Sequence, residues 1–228
     1  MGDVTRRAAV HGVLSDPARL AIVDLLTVGD ASPSELGSRL ALPSNLVAHH
    51  LKVLEERGLV VRHRSEADRR RTYLSLVPGA LVAVPAPSLR RPPRVLFVCT
   101  ANSARSHLAA TLWRRASRTP AASAGTHPAA AVDPRAVAVA ARHHVPLRPA
   151  APAALEAVRR ADDLVITVCD AAHEHLAIRA DIHWSVPDPV PVGSDAAFDA
   201  AFDALARRVG DLAPRLSTLP TPGRDEEQ

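Results

Sequence analysis

Aromatic residues, cysteines and long apolar segments are scarce in this chain, and each scarcity excludes a class of protein. Aromatic residues make up only 3% of the 228 positions, so the hydrophobic cores must consist mainly of Ala, Val and Leu. Two cysteines do not make a disulfide framework, and in a reducing cytoplasm a working cysteine is catalytic or redox-active. No apolar run approaches the ~20 residues that span a bilayer, and the N-terminus lacks the apolar core of a signal peptide. We therefore expect a cytoplasmic protein with no membrane partner.

The chain changes character between residues 79 and 93, where the segment GALVAVPAPSLRRPP contains four prolines and no helical period. Such a composition indicates a linker between domains. Residues 1–78 show short helical patterns followed by a charged hairpin, whereas residues 94–216 alternate between strand-like and helical patterns. We therefore predict a mainly α-helical first domain, then an α/β domain with a central parallel sheet, and a disordered tail over residues 217–228.

Start signals for three helices precede a two-stranded hairpin in the first domain. Asp16 can cap a helix that has a proline in its first turn, and Ser32 with Glu35 has the spacing of a capping box. A third helix begins at Ser44, after a short break. The alternating segments LVVRHR and RTYLSLV then flank the charged tip SEADRR, as two strands and a turn would. This order predicts a winged helix-turn-helix.

The hairpin of this domain is strongly basic. Residues 57–71 contain six arginines against two acidic residues, a surplus equal to the net charge of +4 of the whole chain. A charge run alone is usually a solvated surface, but directly after a helix-turn-helix it favours contact with DNA phosphates. The candidate DNA contacts are Ser44, Asn45, His49, His50, Lys52, Arg69, Arg70 and Arg71.

Residues 8–77 resemble the ArsR-like family of winged-helix repressors in the segments LSDPARLAIVDLL, SELGSRLALPSNLVAHHLKVLEERGLV and RSEADRRRTYLSL. The resemblance implies a homodimer that places Ser44 to Lys52 in successive major grooves of a double-stranded DNA operator. Arsenic-sensing members usually bind their effector through clustered cysteines, but the corresponding segment here, SPSELGSRL, has no thiol. We therefore expect no metal site in this domain. The proline-rich linker stands where many relatives have a dimerising helix, so the dimer contact should involve the N-terminal helix or the second domain.

The second domain opens with a strand-like run, RVLFVC, then the loop TANSARS and a helical segment. A helix N-terminus after a strand and a loop is a frequent anion site, because its backbone N–H groups point at the ligand. Five residues separate Cys99 from Arg105, which lets the loop Thr100–Ala104 wrap a tetrahedral oxyanion between a sulfur and a planar guanidinium. Among the loop residues Thr100, Ala101, Asn102, Ser103 and Ala104, Asn102 tolerates the left-handed conformation that such a loop requires. Ser106 can donate to the sulfur, so the site favours a nucleophilic thiolate.

Residues 94–216 resemble the low-molecular-weight protein tyrosine phosphatases and their relatives, the arsenate reductases. Besides the loop, the matching segments are SAGTHP, VDPRAVAVAARHHVPL, DDLVITVCDAA and HWSVPDPVPVGSD. The resemblance implies the fold of that family. It also implies that Cys99 is the nucleophile, Arg105 the oxyanion binder and Asp188 the general acid.

Features outside the loop favour arsenate reduction over phosphatase activity. Val190 follows the Asp-Pro pair where the phosphatases typically have tyrosine, and HWSVPDP resembles the reductase branch. Cys169 stands where similar reductases have a thiol that attacks the cysteine–arsenate adduct. The third cysteine of thioredoxin-coupled enzymes is missing from HEHLAIR, a segment in which we expect a surface loop carrying His173 and His175.

The missing cysteine leaves two electron routes open. Either a redoxin reduces a Cys99–Cys169 disulfide, or a low-molecular-weight thiol such as mycothiol or glutathione attacks the adduct. No tightly bound cofactor is expected. Three functions stay open: a DNA-binding regulator fused to an arsenate reductase, a regulator with an oxyanion- or redox-sensing domain, and a phosphatase.

Overall fold

The computed structural model describes residues 2–81, 89–90, 92–148 and 150–217. The first domain consists of four helices and an antiparallel hairpin. Its elements are α1 (Gly2–Leu14), α2 (Pro17–Leu26), α3 (Pro33–Leu40), α4 (Ser44–Glu56), β1 (Val60–Arg64) and β2 (Thr72–Leu76). The predicted winged helix-turn-helix is thus confirmed, with α3 and α4 as the helix pair and β1–β2 as the wing.

The helices of this domain begin where their sequence signals predict. The Asp16 carboxylate accepts hydrogen bonds from the backbone N–H groups of Ala18 and Arg19 at the start of α2. At α3, Ser32 and Glu35 form the complete capping box. Between α3 and α4, Ala41 takes the left-handed conformation at φ 53°, which makes the tight turn. Side-chain caps therefore fix the starts of α2 and α3.

The second domain is an α/β domain around a four-stranded parallel sheet of order β5-β4-β6-β7. The elements up to the middle of the sheet are β3 (Leu89–Arg90), β4 (Arg94–Cys99), α5 (Arg105–Ala116), β5 (Ala121–Gly125), α6 (Pro134–Arg142) and α7 (Leu155–Val158). The remainder are β6 (Asp163–Thr167), α8 (Asp170–His175), β7 (Ile182–His183), α9 (Pro189–Val192), α10 (Asp195–Leu212), a 3-10 turn (Ala213–Arg215) and β8 (Leu216–Ser217). This confirms the predicted central parallel sheet.

Each domain has its own core, built largely from aliphatic residues as the composition requires. In the first domain, Leu36, Leu51 and Leu74 are fully buried. In the second domain the scarce aromatic residues lie inside, where Phe97 contacts both Trp113 and Trp184 with ring centroids 5.9 and 5.7 Å apart. The tryptophans are therefore packing residues of this core.

The segment between the domains is only partly described. Leu89–Arg90 pairs in parallel with Leu216–Ser217 to form a small second sheet, so the predicted linker contains one short strand. Residues 82–88 and 91 of the linker lie outside the described residues. Of the tail predicted over residues 217–228, Ser217 lies in β8, and residues 218–228 lie outside the described residues. Within the described ranges, no helix has both the length and the apolar character needed to cross a membrane.

The two domains share an extensive contact through the segment after α2. The indole N–H of Trp184 donates to the Val28 carbonyl oxygen at 2.9 Å, and the Asp30 N–H donates to the His183 carbonyl oxygen at 2.7 Å. A Cβ atom at Gly29 would lie 2.6 Å from that same oxygen, so only glycine allows this approach. No local sequence pattern in either domain indicates this contact.

Candidate functional site

Cys99 and Arg105 lie at the two ends of a tight loop between a strand and a helix. Cys99 is the last residue of β4, and Arg105 is the first residue of α5. Between them Asn102 has φ 47°, the left-handed conformation expected from its sequence position. The loop therefore brings the sulfur, the guanidinium and a helix N-terminus to the carboxyl edge of the sheet.

Two donors face the sulfur of Cys99. The backbone N–H of Asn102 donates to Cys99 Sγ at 3.2 Å, and Ser106 Oγ lies 3.1 Å from it. The side-chain amide of Asn102 donates from Nδ2 to Ser106 Oγ at 2.8 Å. The hydroxyl hydrogen of Ser106 is therefore free to point at the sulfur. The sulfur of Cys99 therefore lies within hydrogen-bond distance of two groups that can donate to it.

Neighbouring backbone segments brace the loop. The Thr126 N–H donates to the Cys99 carbonyl oxygen, and the Ala153 N–H donates to Asn102 Oδ1 at 2.9 Å. Gly125 lies so close that an added Cβ atom would be 2.7 Å from the Thr100 carbonyl oxygen. The SAGTHP segment thus packs directly against the loop, and this close approach explains why position 125 is a glycine.

The guanidinium of Arg105 is nearly buried, with 6% of the residue exposed, and it is held from two sides. Nη1 donates to the Val186 carbonyl oxygen at 2.9 Å, and Nη2 donates to Asp188 Oδ2 at 2.5 Å. The other carboxylate oxygen of Asp188 accepts from the Val190 N–H at 3.1 Å and so caps α9. The structure therefore brings Cys99, Arg105 and Asp188 into one site.

Cys169 belongs to the same edge of the sheet. Val98 pairs with Thr167, so the two cysteines follow the carboxyl ends of adjacent strands. Thr100 Oγ1 lies 3.5 Å from Cys169 Sγ, and the Ala172 N–H donates to that sulfur at 3.4 Å, which makes Cys169 the cap of α8. Burial raises the pKa of the Cys169 thiol, and the charge of Cys99 raises it further, whereas Arg105 opposes both. Burial therefore favours the protonated thiol of Cys169.

The predicted DNA contacts fall into an exposed set and one exception. Exposed side chains in α4 and the wing comprise Ser44, Asn45, His49, Lys52, Arg69, Arg70 and Arg71. Arg70 is paired with Asp68 in its own loop at 3.1 Å. His50 is only 9% exposed and faces Asp16 instead, with Nδ1 and Oδ1 3.9 Å apart. The prediction for His50 is wrong because the residue lies on the buried face of α4.

The expected surface loop at His173 is also wrong, because that histidine lies in a buried polar chain between the domains. His173 Nε2 bonds Glu35 Oε1 at 2.7 Å, and its ring stacks on His183 with centroids 4.0 Å apart. Thr167 Oγ1 lies within 3.1 Å of the Nδ1 atoms of both rings, and His183 Nε2 bonds Asp170 Oδ1 at 3.2 Å. The chain thus connects the helix-turn-helix with the residue that follows Cys169.

The carboxylates at the two ends of this chain are strongly acidic. Burial alone would raise their pKa values, but hydrogen bonds from His173 and Ser32 lower the pKa of Glu35 to about 2. Hydrogen bonds from His183, Ser185 and the Glu66 N–H likewise lower the pKa of Asp170 to about 2. Burial lowers the pKa of His183, although its bond to Asp170 opposes this. At neutral pH both carboxylates are therefore charged, and His183 is neutral.

No local sequence signal marks the residues that join the domains. Asp30, Glu35, Glu66, Tyr73, Asp170 and Glu174 all bond across the interface. Each has the local pattern of a cap, a hairpin tip or a solvated helix face. Only their hydrogen bonds to positions more than 100 residues away distinguish them from ordinary residues of those local patterns.

Two family models match the chain. Residues 94–219 match the low molecular weight phosphotyrosine protein phosphatase family, and residues 14–63 match a helix-turn-helix domain family. A comparison with curated proteins gives no match.

Solved structures similar to the second domain include tyrosine phosphatases and an arsenate reductase. The tyrosine phosphatase AmsI of Erwinia amylovora is 23% identical over 55% of this chain and 94% of its own, with a TM-score of 0.50. The tyrosine phosphatase Wzb of Escherichia coli K30 is 24% identical over 55% of this chain and 99% of its own, also with a TM-score of 0.50. An arsenate reductase of Archaeoglobus fulgidus is 26% identical over 53% of this chain and 98% of its own, with a TM-score of 0.47. The two phosphatases share the fold of the second domain.

Proposed function

The chain belongs to the low molecular weight phosphotyrosine protein phosphatase family, and on that premise we propose that its second domain is a thiol-dependent arsenate reductase attached to a DNA-binding regulator. The observation that carries the proposal is the position of Cys169. It lies beside the loop of Cys99, where Thr100 Oγ1 is 3.5 Å from its sulfur. A phosphatase reaction has no use for a second thiol there, whereas a reductase needs one or an external equivalent.

The first step is attack of the Cys99 thiolate on the arsenic atom of arsenate. Arg105 binds two arsenate oxygens, and one further oxygen leaves as water after it takes protons from Asp188 and the medium. A bond from sulfur to arsenic forms while an arsenic–oxygen bond breaks. Arsenic stays at the +5 level in this adduct.

The second step transfers electrons to arsenic. Cys169 loses its proton and attacks Cys99 Sγ, the sulfur–arsenic bond breaks, and its electron pair stays on arsenic, which departs as arsenite. The two cysteines are oxidised to a disulfide, and a redoxin dithiol reduces it. Alternatively, mycothiol or glutathione attacks Cys99 Sγ in place of Cys169 and arsenite departs. A second thiol molecule then reduces the mixed disulfide left on Cys99. The raised pKa of Cys169 keeps that thiol protonated before the adduct forms, so Cys169 acts in the second step.

The neighbourhood of Asp188 supports a small inorganic substrate. Val190 and Pro191 follow the Asp-Pro pair, while Trp184 is buried in the core. Tyr73, which is the single tyrosine of the chain, is buried in the wing and donates to Glu174 at 3.1 Å. In the described part of the chain, then, neither Trp184 nor Tyr73 offers a ring for a phenyl group beside Asp188.

For the first domain we propose binding of a double-stranded DNA operator by a homodimer. The exposed residues of α4 and the wing would contact bases and phosphates. Lys52→Ala should weaken binding about uniformly across sequences and reduce the slope of affinity against salt by about 1. Affinity that does not depend on salt would argue against this role.

A time course of arsenite formation tests the enzymatic proposal. Wild-type protein, Cys99→Ser and Cys169→Ser are each given a redoxin system, mycothiol or glutathione. Cys99→Ser should abolish arsenite formation with every donor. If Cys169→Ser loses activity with the redoxin but keeps it with mycothiol or glutathione, the redoxin uses the disulfide route. Wild-type protein that forms no arsenite with any donor would contradict the proposal.

The second candidate is a phosphatase, favoured by the family description and by the two phosphatase structures. It predicts rapid hydrolysis of aryl phosphates without added thiol and no arsenite production. Slow hydrolysis decides nothing, because the shared loop supports it in either case.

A further inference from the structure

The tip of the wing is bound to the second domain by α8, the helix that begins after Cys169. Ser65 Oγ donates to Glu174 Oε1 at 2.6 Å, and the Asp68 N–H donates to Glu174 Oε2 at 3.1 Å. The backbone N–H of Glu66 donates to Asp170 Oδ2 at 2.8 Å. The tip is therefore fixed against α8, and Cys169, the proposed resolving thiol, lies at the start of that helix.

Glu66 makes a second contact, with the loop of Asp188. Its Oε2 atom accepts a hydrogen bond from the backbone N–H of Asp188 at 2.9 Å. The carboxylate of Asp188 in turn accepts from Arg105. A single wing residue thus bridges the segment after Cys169 and the segment that carries the proposed general acid.

We propose that Glu66 is a positioning residue of the oxyanion site, so that the DNA-binding domain completes the site of the second domain. The inference rests on the proposed role of Asp188 as proton donor. A hydrogen bond between a carboxylate and an N–H is charge-assisted and roughly twice as strong as a neutral one. It fixes the backbone of Asp188, and with it the direction in which the carboxyl group points at the leaving oxygen. Misplacement of such a group by about 1 Å can slow a reaction by two orders of magnitude.

A comparison of two aryl phosphates distinguishes a loss of proton donation from general damage to the site. The shared loop supports their hydrolysis, and phenyl phosphate needs a proton on its leaving oxygen far more than p-nitrophenyl phosphate does. With Glu66→Ala we expect kcat for phenyl phosphate to fall about tenfold. The kcat for p-nitrophenyl phosphate should fall less than threefold, and KM should change little for both. Glu66→Gln keeps an acceptor for the Asp188 N–H and should restore most of the difference.

Asp68→Ala is the matched control. It removes a carboxylate from the same loop, but this side chain bonds only Arg70 among the described contacts. Its kcat ratio between the two esters should equal that of the wild type. A purely structural role of Glu66 would lower both esters equally, and that result would overturn the proposal.

Arsenite formation by the same variants keeps the two proposals apart. Aryl phosphate hydrolysis with no arsenite from any thiol donor would remove the reductase but leave Glu66 testable. Equal rates for wild type and Glu66→Ala with phenyl phosphate, the ester that needs a proton on its leaving oxygen, would remove the role of Glu66 alone. A protein that catalyses neither reaction would remove both.

Discussion

Asp188 binds the guanidinium that an oxyanion in the loop would also bind. Its carboxylate accepts from Arg105 Nη2 at 2.5 Å, and one of its oxygens also caps α9. Asp188→Asn keeps an acceptor of the same shape but removes the competing charge. We expect inorganic phosphate to bind about fivefold more tightly, which corresponds to roughly 1 kcal/mol. In the same Asp188→Asn variant, kcat should fall by a factor of about 10²–10⁴, the usual contribution of a general acid.

Protection of Cys99 from iodoacetamide by phosphate measures the affinity in this variant, and mass spectrometry of the Cys99 peptide distinguishes it from Cys169. Asp195→Asn serves as the control, because this exposed carboxylate at the start of α10 pairs with Arg142 and not with Arg105. Unchanged phosphate affinity in Asp188→Asn would show that the Arg105–Asp188 pair does not compete with the ligand.

Gly125 tests how tightly the loop is braced. A methyl group there would lie 2.7 Å from the Thr100 carbonyl oxygen and 3.0 Å from the Asn102 N atom, both of which are backbone atoms. Gly125→Ala should therefore cost about 1–3 kcal/mol of stability and slow the alkylation of Cys99. Gly210→Ala is the control, because a Cβ atom there meets nothing within 4 Å inside α10. It should leave alkylation unchanged and stabilise the protein by about 0.5–1 kcal/mol in thermal unfolding. Equal effects of the two substitutions would contradict the close approach.

At the scale of elements, α3 depends on a cap that also serves the domain interface. Glu35 Oε2 accepts from the N–H and the hydroxyl of Ser32, while its Oε1 bonds His173. Ser32→Ala should cost about 1 kcal/mol in urea-induced unfolding, because α3 loses its N-cap. Ser38→Ala, at an exposed position of the same helix, should leave the stability unchanged or slightly higher. A Ser32→Ala variant as stable as the wild type would show that Glu35 holds the helix start without its partner.

Elements with strong local signals could be predicted from the sequence, and elements that depend on distant partners could not. The caps at Asp16 and Ser32 act within three residues, so the helix starts follow from the sequence alone. The loop from Cys99 to Arg105 is equally local. By contrast, β7 is two residues long and exists because it pairs with β6. The His173–Glu35 pair spans 138 positions, and neither residue type indicates it.

At the scale of the whole molecule, Asp30 connects three elements across the interface. Its carboxylate is almost fully buried and accepts from Ser75 Oγ, from the Ser185 N–H and from Arg208 Nη2, all at 2.6 Å. A buried charge is stable only when it is paired and hydrogen-bonded, and here the partners come from β2, the Asp188 loop and α10. Any movement between the domains therefore exposes this carboxylate or leaves it unpaired. The wing and the oxyanion site consequently form one folded unit.

The polar interface should make the stability of the whole molecule fall on acidification in two windows. The pKa of His183 is lowered by burial, so the unfolded chain binds protons that the folded one does not as the pH falls below 6.5, and stability decreases there. His107, whose pKa burial also lowers, acts in the same window and with the same sign. Glu35 and Asp170 contribute stability above their unfolded values of 4.5 and 3.8, which is lost as the pH falls towards their folded values of about 2. The free energy of unfolding in urea, measured from pH 8 to pH 3, should decline through both windows. Glu35→Gln should flatten the lower one, and a stability that rises between pH 7 and pH 5 would contradict the assignment of a neutral His183.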